Sequence, residues 1–291
     1  MLFYYAYSGH KNGLERVRRG AALMNALQVN GTEAILLVND FRAGLVAKEL
    51  GVKEYVTVES VQDIDAIAKT GDSIIIDSLE DDHGRLVKYC SDFKQVWRFA
   101  HSGKDVSIHG ETLLRAEVED EISIDAAIVD RVYFDTQEKE ERLLFFLGDS
   151  DYDKVILNNA SFFNTFDMEL LLGNYFFVKY EDDLAKLFTQ LHEPEEYETL
   201  IQSSSTVVTA SSQTALEAAI AGAKVIYVDL IEDTLYPVAL LHTFGIESVK
   251  GFDKQSVQKL LNKELSSSKI DAEEKLSVIT EKLLGLILEA L

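Results

Sequence analysis

Short apolar runs alternate along this chain with longer stretches whose apolar positions recur at helical spacing. Leu2–Tyr7, Ala34–Val38, Tyr55–Val58, Ser73–Ile76 and Gln95–Phe99 read as strands. Leu14–Val29, Ala43–Leu50, Val61–Lys69 and Gly84–Cys90 read as helices between them, the first three closed by Gly31, Gly51 and Gly71. Several strands are almost wholly apolar, which suits a parallel sheet covered on both faces. A second series starts at Leu143–Ser150 and continues through a helical Asp151–Phe163 and a strand at Met168–Leu172. It goes on with a strand at Thr206–Thr209, a helix over Thr214–Ala221 stopped by Gly222, and a strand at Lys224–Val228. Helices at Pro237–Phe244, Gln255–Leu261 and Ala272–Leu288 close the chain, the last with leucines and isoleucines at the spacing of an amphipathic packing helix.

The two series are joined by a less regular region. His101–Ser123 carries Gly103, Gly110 and the acidic run Glu117–Glu121, and Ala126–Phe134 reads as one more strand. Asp135–Arg142 is highly charged and non-periodic, which suits an interdomain linker; a solvated helix is the other reading. The fold class expected is α/β, with two Rossmann-like doubly wound domains at residues 1–138 and 139–291 facing across a cleft.

Composition narrows the partners. The 291 residues are 47% hydrophobic, enough for a sizeable core, and their net charge of -22 disfavours nucleic acid or an anionic membrane surface. The single cysteine, Cys90, excludes an intrachain disulfide, and no Cys/His spacing matches a zinc site. No run approaches the roughly 18 apolar residues of a membrane span, and the opening residues read as strand and not as a signal peptide. A cytoplasmic location, with no integral membrane segment, is the expectation.

Candidate chemistry gathers in turns after strands. Ser211, Ser212, Gln213 and Thr214 open a helix, and free N–H groups at such an end suit a phosphate, although hydroxyl residues also cap helices for stability alone. Gly148-Asp149-Ser150 follows the first strand of the second series and offers either backbone N–H groups to a diphosphate or ordinary turn chemistry. After the first strand come Gly9, which lets a ligand approach the backbone, and His10, placed as a general base or else merely solvated. Arg16 and Arg19 lie one turn apart, ready to meet an anion or to pair with local acids such as Glu15. Asp77 ends a strand, and His83 follows it in an Asp/His cluster whose spacing matches no standard metal site. His101, His109, His192 and His242 read as surface or core residues. The dinucleotide G-x-G-x-x-G, P-loop and G-x-S-x-G patterns are absent.

The Gly9-His10 loop with its arginine-bearing helix, taken with Val207–Val228, resembles the GT-B superfamily of nucleotide-sugar enzymes. The likeness is strongest to the small UDP-sugar hydrolases of the pseudaminic-acid pathway and their spore-coat-polysaccharide relatives, and more distant to the peptidoglycan transferase that uses UDP-N-acetylglucosamine. The resemblance implies that His10 activates the attacking group at the anomeric carbon. It implies diphosphate contacts from Gly9, Gly148, Ser150 and Ser211–Thr214, ribose contacts from Glu217, and Arg16 and Asp77 on the sugar side. No cofactor and no metal are expected, and the resemblance implies a UDP-linked sugar as partner in surface-glycan biosynthesis, by hydrolysis or transfer. Several positions depart from the pattern. Lys11–Glu15 intervenes before Arg16, Ala210-Ser211-Ser212 replaces a Gly-Gly-Ser, Gly148 stands alone where a pair is usual, and Asp233–Val238 lacks the sugar-capping Gln and Asn. These departures frame the alternative: a GT-B-like binding or assembly protein without catalysis.

Overall fold

The computed structural model describes residues 1–102, 104–116, 126–176, 178–230, 234–263 and 269–291. Gly103, the acidic run Glu117–Glu121 and Asp233 lie outside them. The chain divides into two compact units. The first comprises Met1–Gly9, Arg16–Asp130 and Leu276–Leu291; the second comprises His10–Glu15 and Arg131–Lys275.

The first unit holds strands β1 (Leu2–Ala6), β2 (Ala34–Val38), β3 (Tyr55–Thr57), β4 (Ser73–Asp77), β5 (Gln95–Phe99) and β6 (Thr112–Leu114). They form a parallel sheet in the order β3-β2-β1-β4-β5-β6. The helices interleaved with them in sequence are α1 (Glu15–Val29), α2 (Phe41–Glu49) and α3 (Arg85–Asp92). All of β1 and β4 is buried, which explains the unbroken apolar runs Leu2–Ala6 and Ile74–Ile76. Tyr5, Leu37, Ile74, Ile76, Tyr89 and Val96 belong to one core cluster of this unit. At Gly20 in α1 a Cβ would stand 2.7 Å from Tyr4 Cε1, so glycine lets the helix settle against that ring.

The second unit holds β7 (Glu140–Phe146), β8 (Glu169–Leu171), β9 (Gln190–His192), β10 (Ser204–Thr209), β11 (Lys224–Asp229) and β12 (Glu247–Lys250). Their order is β12-β11-β10-β7-β8-β9, again all parallel. Counted from its own first strand, each sheet therefore runs 3-2-1-4-5-6, the doubly wound order whose direction reverses between the first and fourth strands. The helices are α4 (Val155–Asn158), α5 (Ala160–Phe163), α6 (Val178–Leu184), α7 (Tyr197–Ser203), α8 (Ser212–Ile220), α9 (Val238–Thr243) and α10 (Lys254–Leu261); α11 (Lys269–Leu288) follows, and from Leu276 on it belongs to the first unit. Phe145 anchors this core, with ring centroids 4.8 Å from Phe163 and 6.0 Å from Phe188. Burying one such ring contributes about 1.5–3 kcal/mol.

Three expectations change. Val61–Lys69 is not an α-helix but a 3-10 turn over Val61–Ala66, capped by the Ser60 hydroxyl; its β-branched and aspartate residues are weak helix formers. Ala126–Phe134 is not a strand. Its apolar residues are buried without a ladder partner, and it ends in a 3-10 turn at Arg131–Phe134. Glu140–Arg142, read as the end of a linker or helix, instead begins β7. Arg142 is held there by Glu140, Glu169 and Ser203, so the charges belong to a strand end bound by ion pairs. Among the described residues, no helix is long and apolar enough to cross a membrane.

Candidate functional site

Doubly wound sheets bind ligands beyond the carboxyl ends of their strands, where strand order reverses. In the second unit that point lies between β7 and β10. The chain leaves β7 through Leu147, Gly148, Asp149 and Ser150, and leaves β10 through Ala210 and Ser211 into α8. Gly148 has φ +140°, and a Cβ there would meet nothing within 4 Å, so its backbone faces open space. Gly173 supports this turn from behind: a Cβ on it would stand 2.5 Å from the Asp149 carbonyl and 2.6 Å from the Gly148 oxygen. Asn174 donates to Asp149 Oδ1 at 3.0 Å, and the Tyr175 amide donates to the Asp149 carbonyl at 2.8 Å.

The segment that carries His10 packs on the same turn. The Ser150 hydroxyl donates to the His10 carbonyl, and the His10 ring lies 4.7 Å from the Tyr175 ring. A Cβ on Gly13 would stand 3.7 Å from Asp149 Cβ. Lys11 lies over the Tyr152 ring at 5.2 Å. His10 itself is exposed. His10 and Gly148–Ser150, 138 to 140 positions apart in the chain, thus meet at one edge of one sheet.

The opening of α8 is different. Ser211 is its N-cap, with the side chain accepting from the Thr214 amide at 3.1 Å and from the Thr214 hydroxyl at 2.8 Å. Tyr197 OH lies 2.7 Å from Thr214 Oγ1 and donates to Glu217 Oε2 at 2.6 Å. Gln213 Nε2 donates to Glu217 Oε1 at 2.8 Å, and Tyr236 OH donates to Gln213 Oε1 at 2.8 Å. Ser212 Oγ accepts from the Tyr236 amide at 3.3 Å. Ser211, Ser212, Gln213, Thr214 and Glu217 are all at most 3% exposed. The hydroxyls and the carboxylate expected to meet a nucleotide are engaged inside the protein. This network satisfies every carboxylate oxygen of Glu217, as a buried anion requires.

In the first unit, the reversal lies between β1, continued by Ser8 and Gly9, and β4, which ends at Asp77. Gly9 has φ +150° and open space where a Cβ would stand. Ser8 is tied to Asn39 through its amide at 2.8 Å, its hydroxyl at 3.1 Å and its carbonyl at 2.9 Å. Asp77, 1% exposed, receives a fork from Arg19, Nε at 2.9 Å and Nη2 at 2.6 Å, and the Tyr4 hydroxyl at 2.7 Å. Arg16 Nε reaches Asp77 Oδ1 at 3.4 Å. Arg16 and Asp77 therefore lie in one buried ion cluster.

Three of the other histidines have side-chain partners elsewhere. His83 faces Asp81, His192 is buried on Glu169 at 2.7 Å, and His242 bonds Ser248 at 2.8 Å. Among the described residues, no group of three or more His, Cys, Asp or Glu is arranged to hold a metal. Tyr175, Tyr197, Tyr236 and Gly173 were not marked by any spacing in the sequence. The one available signal was Glu217, an acid set in the apolar run Ala215–Ile220, which demands donors from elsewhere.

No family model and no curated protein matches the chain. Solved structures do. The glycotransferase of kitacinnamycin superposes with a TM-score of 0.59 at 12% identity, over 100% of this chain and 98% of that one. MurG of Acinetobacter baumannii gives 0.56 at 12% identity, with 99% of each chain covered. UDP-GlcNAc 2-epimerase of Methanocaldococcus jannaschii, in complex with UDP-GlcNAc and UDP, gives 0.56 at 13% identity over 97% of this chain and 100% of that one. The chain has the GT-B fold: two Rossmann-like domains, each a six-stranded parallel sheet with flanking helices.

Proposed function

We propose that this chain is a nucleotide-sugar enzyme that binds a UDP-linked sugar at the carboxyl edge of the second sheet and acts at the anomeric carbon. The observation that carries the reading is the packing of the His10 segment on the Gly148–Ser150 turn at the strand-order reversal. Backbone N–H groups at Gly148–Ser150 receive the diphosphate, and the positive end of α8 favours its charge. His10 removes the proton of the attacking hydroxyl; the new bond forms at the anomeric carbon as the sugar–phosphate C–O bond breaks, and UDP leaves with the electron pair. The attacking hydroxyl belongs to an acceptor, giving glycosyl transfer in surface-glycan biosynthesis; water in its place gives hydrolysis. Glu217 and Ser211–Thr214 act here by holding the end of α8 rigid, and Asp77 with Arg16 by fixing the start of α1.

The closed network around Glu217 favours a second reading, a protein of this fold that has kept its architecture and lost its chemistry. The two readings separate in two steps. Thermal shift with UDP and with UDP-N-acetylglucosamine raises the melting temperature under the first reading, by mass action on the folded state. Release of UDP is then followed with and without candidate acceptor sugars, in wild type and His10→Ala. Release at equal rates in both proteins refutes the role of His10; absence of any shift and any release supports the second reading.

A further inference from the structure

Arg16 stands in the first turn of α1 with its side chain 8% exposed, and its Nε makes no hydrogen bond. Among the described residues, its ion contact is Asp77 Oδ1 at 3.4 Å. That oxygen already accepts from Arg19 Nη2 at 2.6 Å, and the other oxygen takes Arg19 Nε at 2.9 Å and the Tyr4 hydroxyl at 2.7 Å. Arg16 thus shares a carboxylate on which Arg19 and Tyr4 already place three closer donors. A guanidinium does not shed its proton in a protein, so burial cannot be relieved by neutralising it. Within the Arg16–Arg19–Asp77 group, two guanidinium charges face one carboxylate, a shortfall of one negative charge. The helix end beside it adds positive character, because the first-turn N–H groups of α1 point the same way along the axis.

We infer that this corner of the first unit binds a ligand carboxylate, taken by the Arg16 guanidinium. One carboxylate restores the balance one for one and matches the planar fork. A phosphate dianion overshoots it in a buried place, where uncompensated charge is costly. The position is also one a ligand reaches in this fold type, since Asp77 and Gly9 mark the strand-order reversal of the first sheet. The inference stands on residues of the first unit and does not depend on the nucleotide reading.

The test follows the Arg16 Nε–H resonance of the full-length 15N-labelled protein, assigned by its loss in Arg16→Lys. Sodium acetate, inorganic phosphate, sodium chloride and UDP are titrated separately at constant ionic strength. The expected result is a saturable downfield shift with acetate, a weaker response to phosphate, and none with chloride or UDP. The acetate response of backbone amides in the first turn of α1 is lost in Arg16→Lys. No saturable acetate shift in the wild type overturns the inference, and this arm needs no variant to fold. A stronger response to phosphate or to UDP than to acetate overturns it as well, by assigning Arg16 to another ligand.

Discussion

Asp77→Asn tests the buried ion cluster directly. Asn keeps the size of the side chain and one acceptor oxygen, but its amide group faces a donor where a carboxylate oxygen stood. Three donated hydrogen bonds, two from Arg19 and one from Tyr4, converge on Asp77, which is 1% exposed. Breaking a buried ion pair by removing one partner costs about 3–5 kcal/mol, because the other charge is left buried. Arg19 also lies 3.8 Å over the Phe99 ring, a contact that survives the substitution and offsets part of the loss. We expect a net cost near the lower end, about 3 kcal/mol. The single tryptophan, Trp97, is fully buried in β5 of the same unit, so its fluorescence in urea reports that unit separately from the other. The midpoint falls with the slope unchanged. Asp77→Leu/Arg19→Met removes both charges and costs less than the sum of its single changes. A loss under about 1 kcal/mol for Asp77→Asn refutes the reasoning, because that is the range of a solvated surface pair.

Three further expectations are smaller in scope. Tyr197→Phe removes the hydroxyl shared by Thr214 and Glu217 and takes one donor from a buried carboxylate oxygen, at a cost of about 1–3 kcal/mol in thermal denaturation; an unchanged melting curve contradicts the network. Gly173→Ala places a Cβ 2.5 Å from the Asp149 backbone, which must shift, costing about 1–3 kcal/mol and weakening UDP binding; wild-type stability and affinity together contradict the support role. Burial alone would raise the Asp105 carboxyl, but the Arg98 fork and the His101 amide outweigh it and hold the pKa at about 2, below the ordinary 3.8. Its stabilising contribution is therefore full above the ordinary value and is lost as pH falls through about 2, so Asp105→Asn flattens the acid limb of the stability–pH curve between those values. An identical limb in wild type and variant contradicts this.

The strand pattern was legible because burial on both faces leaves little room for polar residues. Ile74, Ile75 and Ile76, or Val207 and Val208, announce a central strand whatever its neighbours are. The same signal misleads at Ala126–Val129, where burial comes from packing around an irregular segment with no ladder; apolar character reports burial and not hydrogen bonding. At the candidate site, the turns were legible for a related reason, since Gly9 and Gly148 both hold backbone conformations that other residues avoid. The state of the polar groups was not. Whether Ser211, Thr214 and Glu217 face a ligand or the interior depends on Tyr197 and Tyr236, which come from a separate helix and from the loop after β11 and share no spacing with them. Hydroxyl and carboxyl residues at a helix start have the same sequence in either case. What separates the cases is the supply of donors: two tyrosines and a glutamine meet the demand of Glu217 and its neighbours from within. If the proposed reading holds, affinity for a nucleotide follows the shape of the Gly148–Ser150 turn more than the identity of the residues that cap α8.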